Sequence, residues 1–199
     1  SLENTKKIFL KIAEGLHAAH GEGVVHRDIK PGNIMIRPSG DPVIIDFGIA
    51  RQLQDPSMTQ THERVLTLQF ASPEQLYGEP VSPQSDVFSL AATMSFALHP
   101  DPKRQRPQFE PDKTPEAFHW ILERCLSYKP ENRPKDMMEF VDILSQVEFK
   151  NGVITNFPRK PVAQQNLSKS GIGLTPQSAL SLNGSSSPVV AAPRLSLAA

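Results

Sequence analysis

Two short polar runs joined by a hairpin constrain this chain more than anything else in it. The first is His26-Arg27-Asp28-Ile29-Lys30-Pro31-Gly32-Asn33, with Asn33 five positions after Asp28. The second is Asp46-Phe47-Gly48. Between them stand two apolar triplets, Ile34-Met35-Ile36 and Val43-Ile44-Ile45, separated by Pro38-Ser39-Gly40-Asp41-Pro42. Apolar triplets around Pro, Ser, Gly and Asp predict a β-hairpin. A hairpin holds its ends at a set separation, so Asn33 and Asp46 are expected to share one site. Either short run alone recurs by chance, but the two in this order around a hairpin carry a context that chance does not supply.

The first run fits H-R-D-x-x-x-x-N and the second fits D-F-G. Together they resemble the catalytic-loop and metal-loop signatures of serine/threonine protein kinases. The resemblance covers residues 4–145 and implies a mainly α (α+β) fold: a kinase-like C-terminal lobe whose small β-hairpin carries the catalytic and metal loops. It implies transfer of the ATP γ-phosphate to Ser or Thr hydroxyls of a protein substrate, with Mg²⁺. Phosphoryl transfer asks for positioning and charge neutralisation rather than covalent chemistry. Asp28 is then the carboxylate that meets the attacking hydroxyl. Lys30 lies against the moving phosphate and offsets its charge. Asn33 and Asp46 are the metal ligands and, with Lys30, hold the nucleotide, since Mg²⁺ prefers hard oxygen donors.

Other positions take their meaning from the same resemblance. His26 packs beneath the metal loop without a chemical role. Arg27 pairs with a phosphate on the activation loop through charge-assisted bonds. The polar stretch from Asp55 to Arg64 lacks periodicity and reads as a loop. Its hydroxyls Ser57, Thr59 and Thr61 are candidate phosphate carriers, Thr59 and Thr61 above all. Thr67-Leu68-Gln69-Phe70-Ala71-Ser72-Pro73-Glu74 resembles the family's T-P-x-Y-x-[AS]-P-E. Thr67 joins the catalytic set. Leu66, Leu68 and Phe70 stand where glycine, proline and tyrosine are usual, which alters the wall that cradles the substrate peptide. Glu74 is expected to pair with Arg133, and Asp86 to accept backbone hydrogen bonds from the His26-Arg27-Asp28 loop.

Periodicity supplies the scaffold. Phe9, Ile12, Ala13, Leu16 and Ala19 make one stripe of a helix over 4–20, with Asn4 as N-cap and Gly21 and Gly23 as stops. His17 and His20 read as helix-end or surface residues. Ser82-Pro83 opens the next helix, and 87–98 is apolar nearly all round, a buried core helix. Residues 99–113 hold Pro100, Pro102, Pro107 and Pro111 and read as a proline-rich loop where the family has another helix. Thr114-Pro115-Glu116 is expected to cap a helix carrying Phe118, Ile121, Leu122 and Cys125. A last helix runs from about Pro134 to Leu144, with Met137, Phe140, Val141 and Leu144 inward and Trp120 in the core. The boundary is drawn at 149/150: kinase lobe in 1–149, and a disordered Ser/Pro-rich tail in 150–199.

Charge and composition exclude several alternatives. The tail holds five of the 21 basic residues and no acid, which leaves 16 basic against all 21 acidic residues in the first 149. That asymmetry is far from a dense basic patch, so no nucleic-acid partner is expected. One cysteine, Cys125, excludes an internal disulfide. The apolar run Leu90–Leu98 is too short to span a bilayer and no signal pattern opens the chain, so a cytoplasmic setting is expected. Only 25 residues precede His26, and no glycine-rich loop or V-A-I-K lysine is among them. The expectation is therefore a fragment or split kinase, inactive without an N-terminal lobe or a partner supplying it. Two rivals remain open on sequence: a non-catalytic pseudokinase or interaction module, and a small-molecule phosphotransferase with an H-x-D-x-x-x-x-N loop. Lys30, D-F-G and Ser72-Pro73-Glu74 favour the protein kinase over the latter.

Overall fold

The computed structural model describes residues 1–47, 69–100 and 110–161. Helix α1 (Leu2–Gly21) is capped by Ser1, whose Oγ accepts from the Asn4 amide at 3.3 Å, so the helix starts earlier than the expected Asn4 cap. Its stripe Phe9, Ile12, Ala13 and Leu16 is buried. Gly23 ends it: with φ +75° it turns the chain back, and the Val24 amide reaches the Ala19 carbonyl. Strands β1 (Ile34–Ile36) and β2 (Pro42–Ile44) pair antiparallel, Ile34 opposite Ile44 and Met35 opposite Val43. Lys11 of α1 ion-pairs with Asp41 in the hairpin turn, and Ile34 and Ile44 pack on the core, which ties the hairpin to α1.

The short helix α2 (Pro73–Tyr77) and the long helix α3 (Pro83–Leu98) follow. Every residue of α3 from Ser85 to Ser95 is buried, as its all-round apolar character demands. Helix α1 packs against α3 and against α5 (Met137–Ser145). The shared core includes Leu16, Leu90, Met94, Phe118, Ile121, Leu122, Phe140 and Leu144, all fully enclosed. Burying each such side chain contributes about 1.5–3 kcal/mol, so this core rather than local propensity sets where the helices sit.

Three expectations need adjustment. The segment after Thr114 does not open as a capped α-helix. Pro115 keeps an extended ψ of 132°, and the chain makes a 3₁₀ turn over Glu116–Phe118 before α4 (His119–Cys125) begins. The tight turn drives Ala117 and Phe118 into the core, while Trp120 is only half-buried against it. Helix α5 begins at Met137 rather than near Pro134, because extended Asp136 is its N-cap, accepting from the Glu139 amide at 2.8 Å. Ile143 joins Met137, Phe140 and Leu144 inside, and Val141 is half-buried.

Regular structure also crosses the boundary drawn at 149/150. Strands β3 (Glu148–Lys150) and β4 (Val153–Asn156) form a second antiparallel hairpin. Asn151 and Gly152, with φ +53° and +76°, provide the two left-handed residues that a type I′ turn requires. Phe149, Ile154 and Phe157 pack against the core, and Lys160 reaches back to Glu123 of α4 at 2.8 Å. The Asn-Gly pair was the available sequence signal. Residues 162–199 of the expected tail lie outside the described residues, as do 101–109 of the proline-rich loop. No described helix is long and apolar enough to cross a membrane.

Candidate active site

The loop after α1 is built from the backbone outward. Asp86, fully buried in the first turn of α3, accepts from the His26 amide (Oδ2, 2.8 Å) and the Arg27 amide (Oδ1, 2.8 Å). His20 Nε2 bonds the same Oδ2 at 2.8 Å. Three donors and a helix N-terminus make a buried carboxylate tolerable there. His20 is thus neither a surface nor a bare helix-end residue: its side chain is 6% exposed and joins α1 to this junction. His17, by contrast, is exposed.

His26 is completely buried. Its Nδ1 accepts from the Asp28 amide at 3.3 Å, so its Nε2 carries the proton donated to the Ile45 carbonyl at 3.2 Å. Its ring lies 4.6 Å from that of Phe47. One imidazole therefore touches both polar runs. The hairpin supplies a second tie, the Ile45 amide donating to the Asn33 carbonyl at 3.0 Å, one residue before Asp46.

Asp28, Lys30 and Asn33 converge. Lys30 Nζ is 2.9 Å from Asp28 Oδ2. Asn33 Nδ2 donates to the same oxygen at 3.0 Å and to the Asp28 carbonyl at 2.7 Å. Pro31 starts the 3₁₀ turn Pro31–Asn33 that folds Asn33 back, and Ile29 anchors the loop in the core. Asp46 stands exposed at the end of the hairpin with φ +59°, and Arg27 has φ +68°. A left-handed backbone costs a non-glycine residue about 1–3 kcal/mol, and such residues persist only where surrounding bonds hold them. Arg27 is held through its backbone, while the residue itself is exposed.

The site's donor set suits a hard cation: the Asn33 amide oxygen and the Asp46 carboxylate are oxygen ligands, and Mg²⁺ takes few protein ligands beside water and phosphate. No cluster of three or more His, Cys, Asp or Glu able to hold a metal occurs among the described residues. Gly48, Ser57, Thr59, Thr61 and Thr67 lie outside the described residues.

A second junction lies beneath. Arg133 and Glu74 are both buried and pair bidentately at 2.7 and 2.8 Å. The remaining guanidinium donors go to the carbonyls of Gln84 (3.0 Å), Tyr128 (3.0 Å) and Ser127 (2.9 Å), so all five are used. Phe88 lies under the guanidinium at 5.0 Å. Burial alone would push the Glu74 carboxyl up. The Arg133 and Ser85 hydrogen bonds outweigh it and hold the group down at about 2. Phe70, where the family has tyrosine, packs edge-on to Phe96 beside Phe88 and Ala92.

Two residues of these junctions escaped the sequence reading. Ser85 donates to Glu74 Oε1 at 2.7 Å. Gln75, buried, donates to the Arg27 carbonyl at 2.7 Å. The only sequence signal for either was helix capping, Ser82 with Ser85 and Ser72 with Gln75.

A family model of the protein kinase domain matches residues 1–146, and the chain belongs to the protein kinase family. What surrounds the site is a mainly α (α+β), kinase-like C-terminal lobe. The chain is similar to the serine/threonine-protein kinase PkaA of Streptomyces coelicolor, 33% identical over 146 residues, which covers 62% of this chain and 26% of that protein. It is similar to the serine/threonine-protein kinase PknD of Mycobacterium tuberculosis, 33% identical over 144 residues, 63% of this chain and 22% of that protein. A probable serine/threonine-protein kinase of Thermomonospora curvata, PkwA, is 47% identical over 94 residues, 47% of this chain and 12% of that protein. The chain thus spans about a quarter or less of these relatives.

Proposed function

We propose that this chain is the hydroxyl-side half of a serine/threonine protein kinase, transferring the ATP γ-phosphate to Ser or Thr of a protein substrate. The observation that carries the reading is the convergence of Lys30 Nζ and Asn33 Nδ2 on one oxygen of Asp28. Lys30 and Asn33 orient the carboxylate that would accept from the substrate hydroxyl. Lys30 is placed to move from Asp28 to the transferring phosphate as charge grows there. Asn33 and Asp46 would hold Mg²⁺, which when bound neutralises phosphate charge. Arg27 and a phosphorylated Thr59 or Thr61 would form a regulatory pair.

The adenine pocket and the clamp over the phosphates belong to an N-terminal lobe that these 199 residues do not encode, whether on the same polypeptide or on a partner. Met35 and Ile36 of β1 and Phe47 are exposed apolar side chains beside the site, suited to contact with it. Without the clamp, nucleotide positioning worth about 7–11 kcal/mol of barrier is lost, so the chain alone is expected to transfer no phosphate at a useful rate.

The test is γ-labelled ATP with a serine- and threonine-rich protein, using the chain joined to an ATP-binding lobe. Asp28→Asn is expected to lower the rate by about 10²–10⁴-fold with little change in nucleotide affinity. Transfer that survives Asp28→Asn, or micromolar MgATP binding and turnover by the 199 residues alone, would remove this assignment.

A further inference from the structure

Gln75 is the third residue of α2, and its side-chain oxygen accepts from the Ser72 amide at 3.0 Å and from Ser72 Oγ at 3.1 Å. That local role needs only an acceptor, and a glutamate would fill it while also suiting the helix N-terminus. Gln75 carries an amide nitrogen besides. Because the Ser72 N–H fixes the oxygen on the cap side, the nitrogen must face the other way, and it donates to the Arg27 carbonyl at 2.7 Å. Gln75 is buried at 5% exposure, so water does not compete for that bond.

The recipient is a residue whose backbone needs holding. Arg27 is left-handed at φ +68°, its amide is taken by Asp86 of α3, and its carbonyl is taken by Gln75 of α2. The Arg27–Asp28 peptide is therefore held at its carbonyl by Gln75 and at its N–H by His26 Nδ1, while Asp86 holds the peptide before it. The held peptide leads directly into Asp28, whose carboxylate is oriented by Lys30 and Asn33.

We propose that Gln75 is a positioning residue for Asp28: its amide nitrogen locks the Arg27–Asp28 peptide and couples the Ser72-Pro73-Glu74 segment to the catalytic loop. Its catalytic consequence rests on the function proposed above, but the bond itself does not.

The decisive variant is Gln75→Glu, which keeps the acceptor for Ser72 and places a carboxylate oxygen against the Arg27 carbonyl. Amide hydrogen exchange on the 199-residue chain reads the lock through the Asp28 N–H, which belongs to the same peptide as the Arg27 carbonyl. Exchange at Asp28 should rise about tenfold, with Ser72 and the α3 amides unchanged. Unchanged exchange at Asp28 overturns the proposal. So does a uniform rise across α3, which would mean general loosening. If Gln75→Glu does not fold, Gln75→Met takes its place. Ser72 and Asp28 should then both exchange faster, and protection retained at Asp28 overturns the proposal. With an ATP-binding lobe joined, Gln75→Glu should lower kcat about tenfold while KM for ATP stays within about twofold. A rise in KM alone counts against positioning. If Asp28→Asn leaves transfer intact while the exchange result holds, the kinase reading fails and the Gln75 lock stands.

Discussion

Ser85 and Asp86 are neighbours in the first turn of α3, yet they serve two junctions of opposite character. Ser85 donates into the Glu74–Arg133 pair, where every guanidinium donor is used and no carboxylate oxygen lacks a partner. Asp86 accepts from the His20, His26 and Arg27 side, where two non-glycine residues, Arg27 and Asp46, keep left-handed backbones and Asp46 is left exposed. The lower junction spends all its polar capacity on itself. The upper one spends backbone polarity to hold a loop and leaves Asp46 exposed at its edge. The saturated pair fixes the lobe, while the loop above it keeps two left-handed residues that its neighbours hold in place.

The largest effect should come from breaking the saturated side. Arg133→Leu strands the buried Glu74 carboxylate and should cost about 3–5 kcal/mol, read as a lower urea midpoint. A loss under about 1 kcal/mol would mean that the pair does not hold the lobe together. On the other side, Asp86→Asn replaces an acceptor with a donor facing either His26 N–H and His20 or Arg27 N–H. It should cost about 1–3 kcal/mol and speed exchange at the His26 and Arg27 amides. Stability equal to the parent would show that the loop is held by other bonds.

A third measurement sharpens the contrast by pH. The Glu74 carboxyl sits at about 2 in the folded chain against an ordinary 4.5. A carboxyl depressed by folding contributes stability in full above its unfolded value, and that contribution fades as pH falls from 4.5 toward 2. The stability difference between the parent and Glu74→Gln should therefore be constant above about pH 5 and shrink below it. A difference that does not change with pH would mean that Glu74 gains nothing from its charge.

How much of this was legible beforehand follows the range of each interaction. Local patterns located α1, the first hairpin, the buried helix α3 and the polar runs, because period, turn residues and motif spacing act over a few residues. The same patterns misplaced the starts of α1, α4 and α5. Cap choice among Ser1 and Asn4, or Pro134 and Asp136, turns on differences of about 1 kcal/mol. They also passed over an Asn-Gly turn at Asn151-Gly152, since compositional weight in the tail masked a two-residue signal.

By itself, the sequence determined that Asp28, Lys30 and Asn33 lie in one short loop and that Asp46 lies just past the second strand of the hairpin that follows it, for their spacing leaves little freedom. Only tertiary structure decided what holds them. The bonds from Gln75 to Arg27 and from His20 to Asp86 join residues 48 and 66 apart. Nothing in a linear pattern distinguishes a glutamine that merely caps its own helix from one whose second polar atom reaches another element. That choice is made when the core packs and every buried donor must find an acceptor.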